Sequence, residues 1–263
     1  MKPQHCLWQP EVNGWAYHTP TLIKPILKGN QMLVDFEKRY TPKTVDDIVF
    51  ADDDSKQLIE DLITGARPFP IREGKCGILL YGVPGTGKSA LAKILPDAME
   101  MAKFGGPAYP RYLRVHPGNN DAALMKSLHG QAMVMPFATY HYFVLDEVDE
   151  LTKTAMSSLK SLMNMPNCVF VMTTNNFQNI EVGVRNRCHC IPFNAAPPDR
   201  WLPICRRILN DEGIVNITDQ TLLKVIESGN GSARNILDAV VSIVLKAKRL
   251  QKVVEVDSLK EVL

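Results

Sequence analysis

The chain has 263 residues, with apolar residues at 45% and charged residues at 22%, the usage of an ordinary globular protein with room for one large domain or two modest ones. A formal net charge of +2 excludes a globally basic or acidic polypeptide, so any nucleic-acid surface has to come from local clustering. No apolar run approaches the ~18 residues of a membrane span, and the opening MKPQHCLWQP lacks the apolar core of a secretion signal, so the expectation is a soluble intracellular protein without a membrane partner.

Residues 1–35 carry Trp8, Trp15 and Tyr17 among prolines with little periodicity, and read as an extended arm. DDDSKQLIEDLITGA predicts a helix that starts near Asp52–Asp54 and stops at Gly65. ARPFPIREGK is a loop by its prolines and glycine. Four short apolar runs then suit buried parallel strands: 76–82, 111–117, 141–147 and 168–175. Helical patterns separate them at 89–102, 120–133 and 152–164, and Pro96 is expected to kink or end the first of these early. After CHCIPF (188–193) the strands stop, NAAPPD is a linker, and helical stretches follow near 198–210, 218–228 and 232–250. The expected architecture is α/β, a parallel sheet flanked by helices over 36–194, followed by a small all-helical part over 195–263. Six cysteines are scattered along the chain, and Cys188-His189-Cys190 is their one cluster. Structural zinc wants wider pairs and four ligands, so these read as reduced core thiols.

The segment Gly82-Val83-Pro84-Gly85-Thr86-Gly87-Lys88-Ser89 follows an apolar strand and opens a helix. Glycines let such a loop curl and aim its N–H groups inward, where the helix adds its positive end. Val83, Pro84, Gly85, Thr86 and Gly87 would cradle the phosphates of ATP. Lys88 would reach the β- and γ-phosphates, and the Ser89 hydroxyl would coordinate Mg2+. Phe143-Val144-Leu145-Asp146-Glu147 ends an apolar strand in two carboxylates, which are costly there unless they serve a ligand. Asp146 is the expected partner of the metal, and Glu147 the expected general base for the attacking water. Met172-Thr173-Thr174-Asn175-Asn176 closes the next strand, where an amide could touch both the γ-phosphate and the water, or an Asn pair could simply make a turn.

These motifs together resemble the AAA+ ATPases, and within them the clamp-loader subunits of replication factor C and their phage counterparts. Glu37-Lys38-Arg39-Tyr40-Thr41-Pro42-Lys43-Thr44-Val45-Asp46-Asp47-Ile48-Val49 is similar to the family's box beside the adenine, which implies nucleotide contacts from Arg39 and Tyr40. TTNN is similar to its first sensor, with Asn175 in the sensing place. Arg185-Asn186-Arg187-Cys188 resembles the Ser-Arg-Cys motif that supplies an arginine finger, here Arg187. Gly231-Ser232-Ala233-Arg234 resembles the start of its lid helix, with Arg234 reaching the phosphates of its own subunit. The resemblance spans about residues 36–250. It departs at Arg39-Tyr40-Thr41, where the family has Tyr-Arg, at Phe50, where the family has glycine, and at His116-Pro117-Gly118-Asn119-Asn120 after the second strand. The sequence also stops at Leu263, whereas clamp-loader subunits continue into a helical collar. Assembly is then expected through ATPase contacts, the 1–35 arm or another protein.

What the resemblance implies is an ATP-hydrolysing ring or spiral of this chain or related subunits. It would load or remodel a replication factor on DNA, with Lys103, Arg111, Arg114, Lys126, Lys153 and Lys160 as candidates for an inner surface. A second reading is a remodeller of a protein partner without nucleic-acid contact. A third, a non-hydrolysing scaffold, conflicts with the intact set of Lys88, Glu147 and Arg187.

Overall fold

The computed structural model describes residues 36, 38–71 and 74–260, so the expected 1–35 arm lies outside the described residues. The chain divides into two compact units, Met1–Thr41 and Pro42–Leu263. In the first, the rings of Phe36 and Tyr40 lie 4.5 Å apart and the Arg39 guanidinium stands 5.7 Å from the centre of the Tyr40 ring.

The second unit is built on five parallel strands: β1 Gly77–Tyr81, β2 Arg111–Arg114, β3 His141–Asp146, β4 Cys168–Thr174 and β5 Cys188–Pro192, in the order β2-β3-β4-β1-β5. Alternation along the strands sorts their side chains onto two faces. Leu79, Phe143, Leu145, Phe170 and Met172 point to one face and pack on Leu124, Met125 and Leu128 of α3 (Ala122–Ala132) and on Met156, Leu159 and Leu162 of α4 (Lys153–Leu162). Ile78, Leu80, Val144, Val169, Val171 and Ile191 point to the other and pack on α1 (Asp53–Thr64) and α2 (Lys88–Phe104). A helical C-terminal part follows the short α5 (Val182–Asn186) and β5, with α6 Pro198–Asp211, α7 Asp219–Ser228 and α8 Ala233–Lys260.

Local chemistry sets the helix ends. The Asp52 carboxylate accepts from Ser55 N–H at the start of α1, and Gly65 closes the helix at φ +83°, a left-handed position that favours glycine. Asp121 and Thr152 cap α3 and α4 in the same way.

Two expectations change. Pro96 neither ends nor shortens α2, which runs on to Phe104. A proline inside a helix costs ~3 kcal/mol, but Leu91, Ala92, Leu95 and Met99 beside it are almost wholly buried, and each leucine returns ~1.5–3 kcal/mol. The second strand is shorter than its apolar run suggests and is not buried: β2 lies at the edge of the sheet with Arg111, Tyr112 and Arg114 exposed.

Candidate functional site

In a parallel sheet every strand exit lies at one end, and here the exits of β1, β3 and β4 gather the motif residues. Gly82, Gly85 and Gly87 all take positive φ, which the loop needs to turn from β1 into α2. A side chain on Gly82 would meet the Phe193 carbonyl oxygen at 2.5 Å, and one on Gly85 would meet Ser232 Oγ at 2.6 Å. Thr86 Oγ1 pins the loop by donating to the carbonyls of Val83 and Phe193, both at 3.1 Å. The N-cap of α2 is Gly87, which has no side chain to engage the first N–H groups, so this helix end remains suited to an anion.

Lys88 is buried, and its Nζ donates to the Gly82 carbonyl at 2.9 Å and the Val83 carbonyl at 2.6 Å. An ammonium has three donors, so one is left by this pair. Burial pushes its pKa below the ordinary lysine value, against the opposing pull of the Asp146 and Asp149 carboxylates. Asp146 ends β3 and is itself buried. Its Oδ1 accepts from Ser89 Oγ at 2.7 Å and from Thr173 Oγ1 at 2.5 Å, while its Oδ2 accepts from the Tyr112 hydroxyl at 2.7 Å. Burial raises this carboxyl's pKa, but the three hydroxyl donors outweigh it and hold it below the usual aspartate value.

Glu147 lies one residue past the strand in a left-handed turn at φ +63°, with its N–H donating to Thr173 Oγ1 at 3.0 Å. Its carboxylate is gripped by Arg114 from β2, Nε to Oε2 at 2.9 Å and Nη2 to Oε1 at 3.0 Å. A shallow cleft beside this pair is lined by Arg114, His116, Glu147, Asp149 and Asn175, so Asn175 and Glu147 line the same cleft. Asp149 accepts from Asn176 Nδ2 at 3.1 Å through one oxygen, and its other oxygen is buried without a protein partner.

Arg234 is exposed on the first turn of α8, beside Ala233, whose N–H donates to the Gly85 carbonyl at 2.8 Å. Arg187 stands elsewhere. It precedes β5, where Cys188 pairs with Gly77, whereas the phosphate loop follows Tyr81, which pairs with Pro192. Four strand steps of ~3.3 Å put it about 13 Å from the loop along the sheet. There Arg187 Nε donates to Asn164 Oδ1 at 2.9 Å and Nη1 to the Gly183 carbonyl at 2.8 Å. Arg39 and Tyr40 belong to the other compact unit.

Sequence reading missed Tyr112 and Thr173, which touch Asp146, and put Arg114 on an inner surface where the structure has it gripping Glu147. Thr173 was within reach, because it lies two residues before Asn175 on a strand that ends beside Asp146. Tyr112 and Arg114 depend on the pairing of β2 with β3, in which Arg114 stands opposite Asp146. Of the six candidate inner-surface cations, Arg114 is held by Glu147, Lys103 donates to the Phe69 carbonyl and Lys160 pairs with Glu181, while Arg111, Lys126 and Lys153 are exposed. Among the described residues no helix is long and apolar enough to cross a membrane.

Residues 78–193 match the model of the ATPase family associated with various cellular activities (AAA). Replication factor C small subunit 2 of Pyrobaculum islandicum is 27% identical over 216 residues, 78% of this chain and 62% of that protein. The replication factor C small subunit of Archaeoglobus fulgidus is 25% identical over 235 residues, 86% of this chain and 67% of the relative. The chain therefore spans a little under two thirds of the length of the first of these relatives. Among solved structures, the Holliday junction branch migration motor RuvB of Thermotoga maritima superposes with a TM-score of 0.59 at 15% identity, over 82% of this chain and 67% of that one, which is a likeness of fold. The matched residues 78–193 include the 82–89 loop and all five strands from Ile78 onward, and the match indicates an ATPase. Over most of its length the chain is similar to replication factor C subunits.

Proposed function

We propose that this chain hydrolyses ATP as one subunit of a ring or spiral that loads or remodels a replication factor on DNA. The observation that carries this reading is the cluster at the mouth of the 82–89 loop, where buried Lys88 and the joined side chains of Ser89, Asp146 and Thr173 meet an uncapped helix end. Residues Val83 to Ser89 would hold the phosphates. The division of labour runs between an ATPase part over 36–194 and a lid over 195–263.

The donor set fits Mg2+: a hydroxyl and an ionised carboxylate oxygen 2.7 Å apart beside the loop are the hard oxygen ligands this ion takes alongside nucleotide phosphates. Ser89 and Asp146 would hold it, and it would supply positive charge to the phosphate oxygens. Glu147 accepts the proton of the attacking water, which requires its carboxylate to leave Arg114. Asn175, which lines the same cleft, orients that water. Arg234 approaches the phosphates from the lid. Arg187, at the far end of β5, serves the nucleotide of a neighbouring subunit. Arg111, Lys126 and Lys153 are the cations left for DNA.

One observation favours the second reading, remodelling of a protein partner. Met135 and Phe137 are 90% and 95% exposed, next to Met133 and Val134 at 68% and 63%, and apolar side chains so presented suit a protein surface. Electron microscopy with a slowly hydrolysed ATP analogue, with and without primed DNA, separates the two. Spirals that need both nucleotide and DNA support loading on DNA. Assemblies indifferent to DNA, with no salt-dependent DNA binding, leave the protein-remodelling reading standing.

A further inference from the structure

β2 is an exposed edge strand, and nothing in its packing asks for a phenol at position 112. Tyr112 is 38% exposed, yet its hydroxyl reaches inward across the β2–β3 pair to Asp146 Oδ2 at 2.7 Å. The ring is held from its face by Lys93 on α2, whose Nζ stands 4.4 Å from the ring centre, a favourable placement of a cation over an aromatic. The other carboxylate oxygen, Oδ1, takes both remaining hydroxyls, Ser89 and Thr173. The last torsion of an aspartate is broad and roughly two-fold, so donors on one oxygen alone leave the plane of the carboxylate free to swing. A donor on the second oxygen fixes it.

We propose that Tyr112 is a positioning residue for Asp146, setting its carboxylate so that Oδ1, beside Ser89, faces the divalent cation. This rests on the reading of Ser89 and Asp146 as the Mg2+ site. The phenol donates to the carboxylate and acts through it. Partners of this outer kind typically change metal affinity about 10–100-fold when removed. Tyr112→Phe deletes the hydroxyl and keeps the ring under Lys93.

The test is Mn2+ binding to the full chain with ADP, followed by electron paramagnetic resonance, together with titration of a fluorescent ATP analogue without metal. Tyr112→Phe is expected to raise the Mn2+ half-saturation concentration about tenfold, with metal-free nucleotide affinity and the thermal midpoint unchanged. Asp146→Asn is the reference for the metal site itself. If Asp146→Asn weakens Mn2+ binding and Tyr112→Phe matches the wild-type chain, the positioning role is wrong and the metal site stands. If Asp146→Asn also leaves Mn2+ binding intact, the metal site is wrong and the positioning role falls with it. A loss of metal-free affinity in Tyr112→Phe, equal to its loss of Mn2+ affinity, reduces the tyrosine to a structural prop and likewise overturns the proposal.

Discussion

Arg187→Ala tests whether the ATPase works between subunits. Within one chain Arg187 enters β5 beside Gly77, and the phosphate loop leaves β1 beside Pro192, about 13 Å further along the strands. The guanidinium is also turned to Asn164 and Gly183. Its removal should therefore leave nucleotide binding close to normal, since no contact to the chain's own loop is lost. Hydrolysis should fall on the order of 10³–10⁵-fold if the residue stabilises charge on a neighbour's γ-phosphoryl. Glu147→Gln should bind and fail to turn over for a different reason, the loss of the proton acceptor. In the proposed assembly a head-to-tail interface would pair one subunit's Glu147 with the next subunit's Arg187. Mixing the two variants in equal amounts makes each residue intact at half the positions, so about a quarter of interfaces carry both. Phosphate release by the mixture should recover to roughly that fraction of wild-type turnover, and either variant alone should stay inactive. A mixture that remains inactive while both variants co-assemble refutes the exchange of Arg187 between subunits.

Lys88→Ala removes the compact cation of the loop, and loss of charge-assisted contacts of ~1.5–3 kcal/mol each should weaken ATP binding on the order of 100-fold; unchanged affinity in a direct fluorescence titration would remove the 82–89 loop from the nucleotide site. His189 gives a pH signature. Burial, with Lys75 and Arg67 nearby, lowers its pKa from 6.5 to about 4, and its Nε2 is buried without a protein partner. The unfolded chain therefore binds the extra proton between those values, so this contribution to stability is complete above pH 6.5 and is lost as pH falls toward 4. Thermal midpoints measured across that window should fall less steeply for His189→Phe, and parallel slopes would show that the histidine does not carry the effect.

The sequence made legible what depends on neighbours in the chain. The phosphate loop, the Asp52 and Gly65 ends of α1 and the apolar runs of β1, β3 and β4 are written in consecutive residues, and the geometry places them together. Pro96 was misleading because its cost is local while the burial of Leu91, Leu95 and Met99 that outweighs it is tertiary. Strand order was not legible, and with it went the exposure of β2 and the reach of Tyr112 and Arg114 to the two carboxylates. The same blindness applied to the surface cations: Lys103 and Lys160 looked as available as Lys126 until the fold supplied their partners.

The edge position of β2 also bears on how the protein behaves in a tube. An open strand edge is a template for pairing with another chain, and charged side chains are a common defence against it. Arg111 and Arg114 are exposed on this edge, so the arginine that grips Glu147 also protects the sheet from sticking to its copies. An Arg114→Ala preparation would lose both, and light scattering should accompany its activity measurements, because aggregated strands and a released base would change the observed rate in opposite directions.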